Sequence, residues 1–216
     1  MSASAAARFN MIEAQIRTSN VTDARIHAAM GAVARERFVP TASRALAYAD
    51  VPVPVAPGRF LLDPRTFAKL LQLAGVTADD RVLDVGCATG YSAAVLGRMA
   101  QSVVALEQDA DLVRIASDAL AGAEGRVIVT QGALIEGFKA GAPYDVIVVE
   151  GAIEQAPETL LAQLAEGGRL VAVIKQGAQG RAHLFLKENG VIGQRPDFDA
   201  GVPLLAGFKK AMGFIF

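Results

Sequence analysis

A chain of 216 residues is long enough for one generous domain, or one domain with an extension. With 52% apolar and 20% charged residues it has the mix of a packed soluble protein, and no apolar run approaches the ~20 residues that span a bilayer. A net charge of −1 gives no bulk pull toward nucleic acid or an anionic membrane, while the single Cys87 excludes an internal disulfide framework and suits a reducing compartment. The opening MSASAAARFN lacks the charged-then-apolar order of a secretory signal, so the cytoplasm is the expected location.

Residues 8–38 read as helical, because Phe9, Ile12 and Ile16 recur at helical spacing and Ile26, Met30 and Val33 do so again. Asp23 or Thr22 can cap the second of these helices. The proline-rich stretch YADVPVPVAPGRFLLDPRTFAKL reads as irregular, extended chain, unfavourable unless it lines something, with a helix from Phe67 to about Ala74.

After residue 80 the pattern alternates. Strands are expected at Arg81–Val85, Val103–Glu107, Val127–Thr130, Asp145–Val149 and Arg169–Ile174, with helices around 91–100, 110–121 and 157–165. Pro157 suits a first helical turn, where its missing N–H costs nothing. Short apolar strands with intervening helices imply right-handed crossovers and a mostly parallel, doubly wound α/β sheet. The end differs: AHLFLKE, Asn189-Gly190 and VIGQRPDF read as an antiparallel hairpin on a two-residue turn.

The stretch RVLDVGCATGYSAAVLGRMAQSVVALEQDADL, residues 81–112, carries the chemistry. Ligands of open parallel sheets sit beyond the carboxyl ends of the strands, where Asp84, Gly86 and Gly90 fall. Glycines allow close backbone approach, and the helix starting near Tyr91 points its positive end at the same place. Glu107 ends the next strand, where a carboxylate can accept both hydroxyl protons of a ribose.

The dinucleotide fingerprint G-x-G-x-x-G is absent. The spacing is G-x-x-x-G preceded by an acid, Asp84-Val85-Gly86-Cys87-Ala88-Thr89-Gly90. A pyrophosphate favours more glycine and no carboxylate; a ligand with an ammonium and a sulfonium favours that carboxylate. The pattern resembles the first motif of the S-adenosylmethionine-dependent class I methyltransferases, with Ala88 in place of the usual middle glycine. Packing-only glycines are the plainer alternative, and Cys87 reads as a buried filler rather than a nucleophile.

The likeness extends further. MIEAQIRTSNVTDARIHAAMGAVARERFVP, AYADVPVPV, the motif above and APYDVIVVEGAIEQAPETLLAQLAEGGRLV resemble, in order and spacing, the protein-L-isoaspartate (D-aspartate) O-methyltransferase family over roughly residues 10 to 175. That resemblance implies a three-layer α/β/α fold, S-adenosyl-L-methionine as cofactor with S-adenosyl-L-homocysteine as product, and methyl transfer onto the free carboxylate of isoaspartyl residues in damaged proteins or peptides. It divides the chain into residues 1–66, an N-terminal helical extension and substrate-cleft loop, and residues 67–216, the cofactor-binding domain, in one compact unit.

Asp84, Gly86, Gly90 and Glu107 match the family's cofactor pattern, with Cys87, Ala88 and Tyr91 in the same turn. Tyr48 and Asp50 match its AY-x-D segment beside the substrate cleft; otherwise Asp50 is an ordinary turn carboxylate.

Three departures stand out. Where the family reads close to G-Q-T-I-S-Q-P, this chain has Gly58-Arg59-Phe60-Leu61-Leu62-Asp63-Pro64, so Leu62 falls where the family's serine belongs and cannot hydrogen-bond. Where the family reads G-D-G, with its aspartate on the adenine, the chain has Gln131-Gly132-Ala133; Ala133 takes the aspartate's place, and Gln131 is the candidate substitute. Glu150 replaces a threonine at the end of the fourth strand, where a carboxylate can bind a cation, act as a base, or repel a substrate carboxylate. Asp50 and Glu150 are the candidate catalytic groups.

Arg59 and Arg65 flank the altered loop and can pair bidentately with a substrate carboxylate; the plainer reading is two solvated arginines. His27 and His183 stand without partners, so no metal site is expected, and no Ser/His/Asp constellation is legible. The alternatives are a different methyl acceptor or a catalytically impaired cofactor-binding relative. No oligomeric state is assigned.

Overall fold

The computed structural model describes residues 2–122 and 126–208. Helix α1 (Ala3–Asn10) runs into a π-helical turn, Met11–Ile16, and a 3-10 turn, Arg17–Ser19, ending at Asn20 with φ 61°. Met11, Ile12 and Ile16 are buried, but Phe9, expected on the apolar stripe, is 58% exposed. The wider π turn shifts the helical phase, so Met11 takes the core position that uniform spacing assigns to Phe9.

Helix α2 (Ala24–Ala32) starts at Asp23, whose carboxylate accepts the Arg25 N–H at 2.8 Å. The proline-rich stretch is less irregular than expected. It folds into a small antiparallel pair, β1 (Val53–Ala56) and β2 (Arg59–Leu61), turning through Gly58 at φ 69°. Helix α3 (Pro64–Ala74) begins before the expected Phe67, because Asp63 caps it through the Thr66 N–H (2.8 Å) and Pro64 suits the first turn.

Strands β3 (Arg81–Val85), β4 (Ser102–Glu107), β5 (Val127–Gln131), β6 (Tyr144–Ile153) and β7 (Leu164–Gln176) are parallel, in the order β5-β4-β3-β6-β7. Strands β8 (Gln179–Glu188) and β9 (Val191–Asp199) extend the sheet antiparallel, turning through Asn189 (φ 53°) and Gly190 (φ 75°) as the Asn-Gly signal requires. Helix α5 (Ala110–Leu120) has its expected length. Helices α4 (Tyr91–Leu96) and α6 (Glu158–Leu161) are shorter than expected. The first tightens into turns beyond Gly97, and the second yields to β7, which starts early by pairing Leu164 with Tyr144.

Alternate residues along the strands feed two cores. Val82, Val103 and Val146 pack with Ile26, Phe67 and Leu96, and Leu83, Leu106 and Ile147 pack with Leu134, Leu160 and Leu205. The sheet is therefore the middle of three layers.

Two local features shape the region beyond the strand ends. Between β6 and β7 the register slips, so Val148 pairs with Val171 but Ala152 with Val173, leaving a bulge that holds Glu150 and Gly151. Residues 200–208 then return across the end of β6: the Ala152 N–H donates to Pro203 O (2.9 Å), and the Leu205 N–H to Ala152 O (2.7 Å).

Candidate functional site

The turn after β3 is left-handed at Gly86 (φ 84°), Ala88 (φ 50°) and Gly90 (φ 93°). Ala88 keeps the backbone a glycine would take, a strained choice for a residue with a Cβ, and its N–H donates to Glu107 Oε2 at 2.9 Å.

Glu107, at the carboxyl end of β4, is fully buried. Besides Ala88, its carboxylate accepts the N–H groups of Gln108 (2.8 Å) and Asp109 (3.1 Å). Its charge is met by Arg59, whose Nη1 and Nη2 donate to Oε1 and Oε2 at 2.8 and 2.6 Å; Nη2 also donates to Gly86 O at 3.1 Å. Arg59 is only 5% exposed, so the expectation of a solvated loop arginine is corrected. Because its segment is a strand, Arg59 and Leu61 share the buried face, with Phe60 partly exposed between them.

Asp84 ends β3 fully buried; Ser92 Oγ donates to its Oδ2 at 2.6 Å, while Oδ1 has no hydrogen-bond partner. Burial, reinforced by the Glu107 charge, pushes its pKa up to about 7. Glu150, 8% exposed in the bulge, likewise has Oε1 without a partner. Burial first, then the Asp84 charge, raises it well above the ordinary carboxylate range, against the pull of Arg35. Glu150 is thereby held toward its neutral, proton-donating form.

The N-terminal extension is tied to this turn. Thr89 Oγ1 donates to Phe38 O (2.6 Å), and the fully buried Arg35 donates to Ala47 O (2.7 Å) and Leu62 O (2.5 Å). Arg35 also stacks 4.5 Å over the ring of buried Tyr91. Leu62 lies buried at 2% exposure. Burial pushes the Cys87 thiol well up, which makes it a filler and not a nucleophile at neutral pH.

At the end of β5, the Gly132 N–H donates to Glu107 O (3.0 Å) and the Gln131 amide to Gln108 O (3.4 Å). Gln131 and Ala133 are exposed beside this edge.

Asp84, Gly86, Ala88, Glu107, Arg59, Leu62 and Glu150 thus converge at the ends of β3, β4 and β6. Tyr48 and Asp50 do not border the space beside Glu150. Tyr48 donates its hydroxyl to Glu36 and is pushed up to about 12 by burial; Asp50 pairs with Arg65 at 3.3 Å. Arg35, Ser92 and Leu205 are the members sequence reasoning missed.

The space itself is nearly closed. Between Arg59, Leu62, Glu150 and Leu205 about 10 Å³ remains, room for a single water. A Cβ on Gly86 would meet Arg59 Nη2 and Leu205 Cδ2, each at 3.2 Å, so these two side chains cover the turn at Gly86. The larger clefts, about 640 Å³ beside Arg37 and Arg98 and about 680 Å³ beside Arg181 and His183, lack the acid-and-glycine set. Among the described residues no group of three His, Cys, Asp or Glu could hold a metal ion, and no helix is long and apolar enough to cross a membrane.

A sequence model of the family described as Protein-L-isoaspartate(D-aspartate) O-methyltransferase (PCMT) matches residues 6–202. The chain belongs to this methyltransferase family. Curated family members named protein-L-isoaspartate O-methyltransferase include one from Methylorubrum populi, 40% identical over 77% of this chain and 78% of its own. One from Rhodopseudomonas palustris is 41% identical over 83% of each chain, and one from Koribacter versatilis 36% identical over 94% of each.

Among solved structures, a protein-L-isoaspartate O-methyltransferase superposes with a TM-score of 0.80 at 25% identity, over 94% of this chain and 66% of that one. A Plasmodium falciparum structure with S-adenosyl-L-homocysteine has a TM-score of 0.79 at 21% identity over 98% and 100%, a likeness of fold. The family's fold is therefore present from the N-terminal helices to the C-terminal hairpin.

Proposed function

We propose that the chain is an S-adenosyl-L-methionine-dependent methyltransferase that esterifies the free carboxylate of isoaspartyl residues in proteins or peptides, releasing S-adenosyl-L-homocysteine. One observation carries this: Asp84, with an unpartnered buried oxygen, and Glu107, collared by three backbone N–H groups, end adjacent parallel strands around a glycine turn. The donor set fits the cofactor: Glu107 suits a ribose diol, Asp84 an ammonium, and Gln131, Gly132 and Ala133 the adenine edge. The available volume does not fit until Arg59 and Leu205 move.

When bound, S-adenosylmethionine supplies an electrophilic methyl on its sulfonium. The chain's own task is then positioning and exclusion of water, since an acceptor carboxylate is already ionised at neutral pH and needs no strong base. A Glu150 held toward neutrality does not repel that acceptor and can donate a hydrogen bond to it, a role left vacant by Leu62. Asp50 and Tyr48 belong to the outer wall formed by residues 1–66. A protein substrate and a cytoplasmic setting accompany this reading.

The test is transfer of labelled methyl from S-adenosylmethionine to an isoaspartyl peptide. Base-labile methyl ester above the buffer control is expected; none above the control overturns the proposal. Because a positioned hydrogen-bonding group can be worth about 10²–10³, Leu62→Ser is expected to raise kcat/KM at least about ten-fold. The same change lowers stability by about 2–4 kcal/mol through loss of a buried side chain, measurable by urea unfolding. Leu62 also favours a second reading, a different acceptor, which transfer to other carboxylate compounds but not to the peptide would establish.

A further inference from the structure

We infer that Arg59 is a switching residue that occupies the cofactor's ribose position when the cofactor is absent and serves the acceptor carboxylate when it is present. This rests on the S-adenosyl reading above. Three observations carry it. The guanidinium holds both oxygens of Glu107, the only two a ribose diol could use, at 2.8 and 2.6 Å. It also bonds Gly86 O and, with Leu205, lies against the glycine turn at Gly86. And the residual space that Arg59 borders is shared with Leu62 and Glu150, on the acceptor side.

Glu107 cannot serve both partners. Three backbone donors and two guanidinium donors already exceed the roughly four acceptor sites of a carboxylate, so no hydroxyl can be added while the guanidinium stays. Cofactor binding must therefore break the pair, and the fraction of molecules with Arg59 withdrawn scales the apparent affinity. An arginine stays charged at any relevant pH, so a guanidinium expelled from a buried pair must reach either water or a new anion. The acceptor carboxylate is the anion that the reaction itself brings. Its planar fork suits that partner as it suits Glu107. Cofactor binding would thus create the acceptor subsite, making the order of addition cofactor first.

The test compares the wild-type chain with Arg59→Ala by calorimetric titration of S-adenosylhomocysteine and by steady-state methylation of an isoaspartyl peptide, after thermal melting shows both folded. The variant is expected to bind S-adenosylhomocysteine at least about ten-fold more tightly, since no closed population competes. Its peptide KM is expected to rise at least about ten-fold with kcat within about three-fold, because a ground-state contact has been removed. Affinity equal to or below wild type overturns the inference, and so does an unchanged peptide KM.

If Arg59→Ala does not fold, Arg59→Met, which removes the charge and keeps most of the apolar stem, is read by the same two criteria. Should no chain bind S-adenosylhomocysteine at millimolar concentration, the S-adenosyl reading itself falls. Tight wild-type binding with no gain in the variants removes the switch alone.

Discussion

Glu107→Ala is expected to lower the unfolding free energy by about 3–5 kcal/mol and to abolish S-adenosylhomocysteine binding. The stability loss follows from what the substitution leaves behind. Arg59, 5% exposed, becomes a buried charge without a counter-ion, and the N–H groups of Ala88, Gln108 and Asp109 lose their acceptor. Removing one member of a buried pair costs far more than the pair contributes, because the survivor keeps its desolvation penalty. The binding loss has a separate origin, the missing acceptor for the ribose hydroxyls. Urea unfolding and calorimetry read the two effects apart. A loss under about 1 kcal/mol would contradict a desolvated pair, and an unchanged dissociation constant would refute the ribose assignment.

The ligand-free protein is expected to lose stability as pH rises from 5 to 8, contrary to the usual behaviour of carboxylates. Asp84 is raised to about 7 by burial and by the Glu107 charge, whereas in the unfolded chain it ionises near an ordinary ~3.9. Its contribution is complete below the unfolded value and is lost as pH rises through about 7, since the folded state binds the extra proton. Three units of separation set an upper limit of about 4 kcal/mol. Glu150 is raised too, mainly by burial, and acts in the same direction.

The carboxylates that are lowered, Asp23 and Asp145 beside arginines among them, act with the opposite sign but at lower pH, whereas Asp50, raised by burial, acts in the same direction as Asp84 and Glu150. Asp84→Asn, which can still accept from Ser92, is expected to make the fall measured by thermal or urea unfolding between pH 5 and 8 shallower than in the wild type. A wild-type profile that is flat or rising there would contradict the buried, unpartnered carboxyl.

The parts of the fold legible in the sequence are those in which local chemistry and the final environment agree. Strand β3, its glycine turn and the Asn189-Gly190 hairpin follow from apolar runs bounded by residues with special backbone freedom. Asp23 and Asp63 show the limit of that logic. The helical pattern that follows at once marks Asp23 or Thr22 as a cap, and Asp23 takes the role; nothing marks Asp63, because prolines obscure the start of α3.

In the site, Asp84, Gly86 and Glu107 were legible as a set because one strand–turn–helix–strand unit holds them all. The partner of Glu107 was not. Arg59 lies 48 residues upstream, and its direction depends on β1 pairing with β2, which proline-rich sequence conceals. Arg35 was hidden likewise: a charge in a helical pattern reads as solvated, and only the packing of Tyr91 and the carbonyls of Ala47 and Leu62 explain its burial. Leu205 belongs to a segment without periodicity, placed by its bonds to Ala152. These three side chains, brought in from distant segments, fill the space beside the ends of β3, β4 and β6.

A crystal structure grown with S-adenosylhomocysteine in millimolar excess tests the Glu107 and Arg59 assignments most directly. The ribose hydroxyls are expected on Glu107, the ammonium at Asp84, and Arg59 withdrawn toward Leu62 and Glu150. An unaltered Arg59–Glu107 pair under those conditions, with the ligand absent from the β3 turn or bound elsewhere, would contradict both assignments.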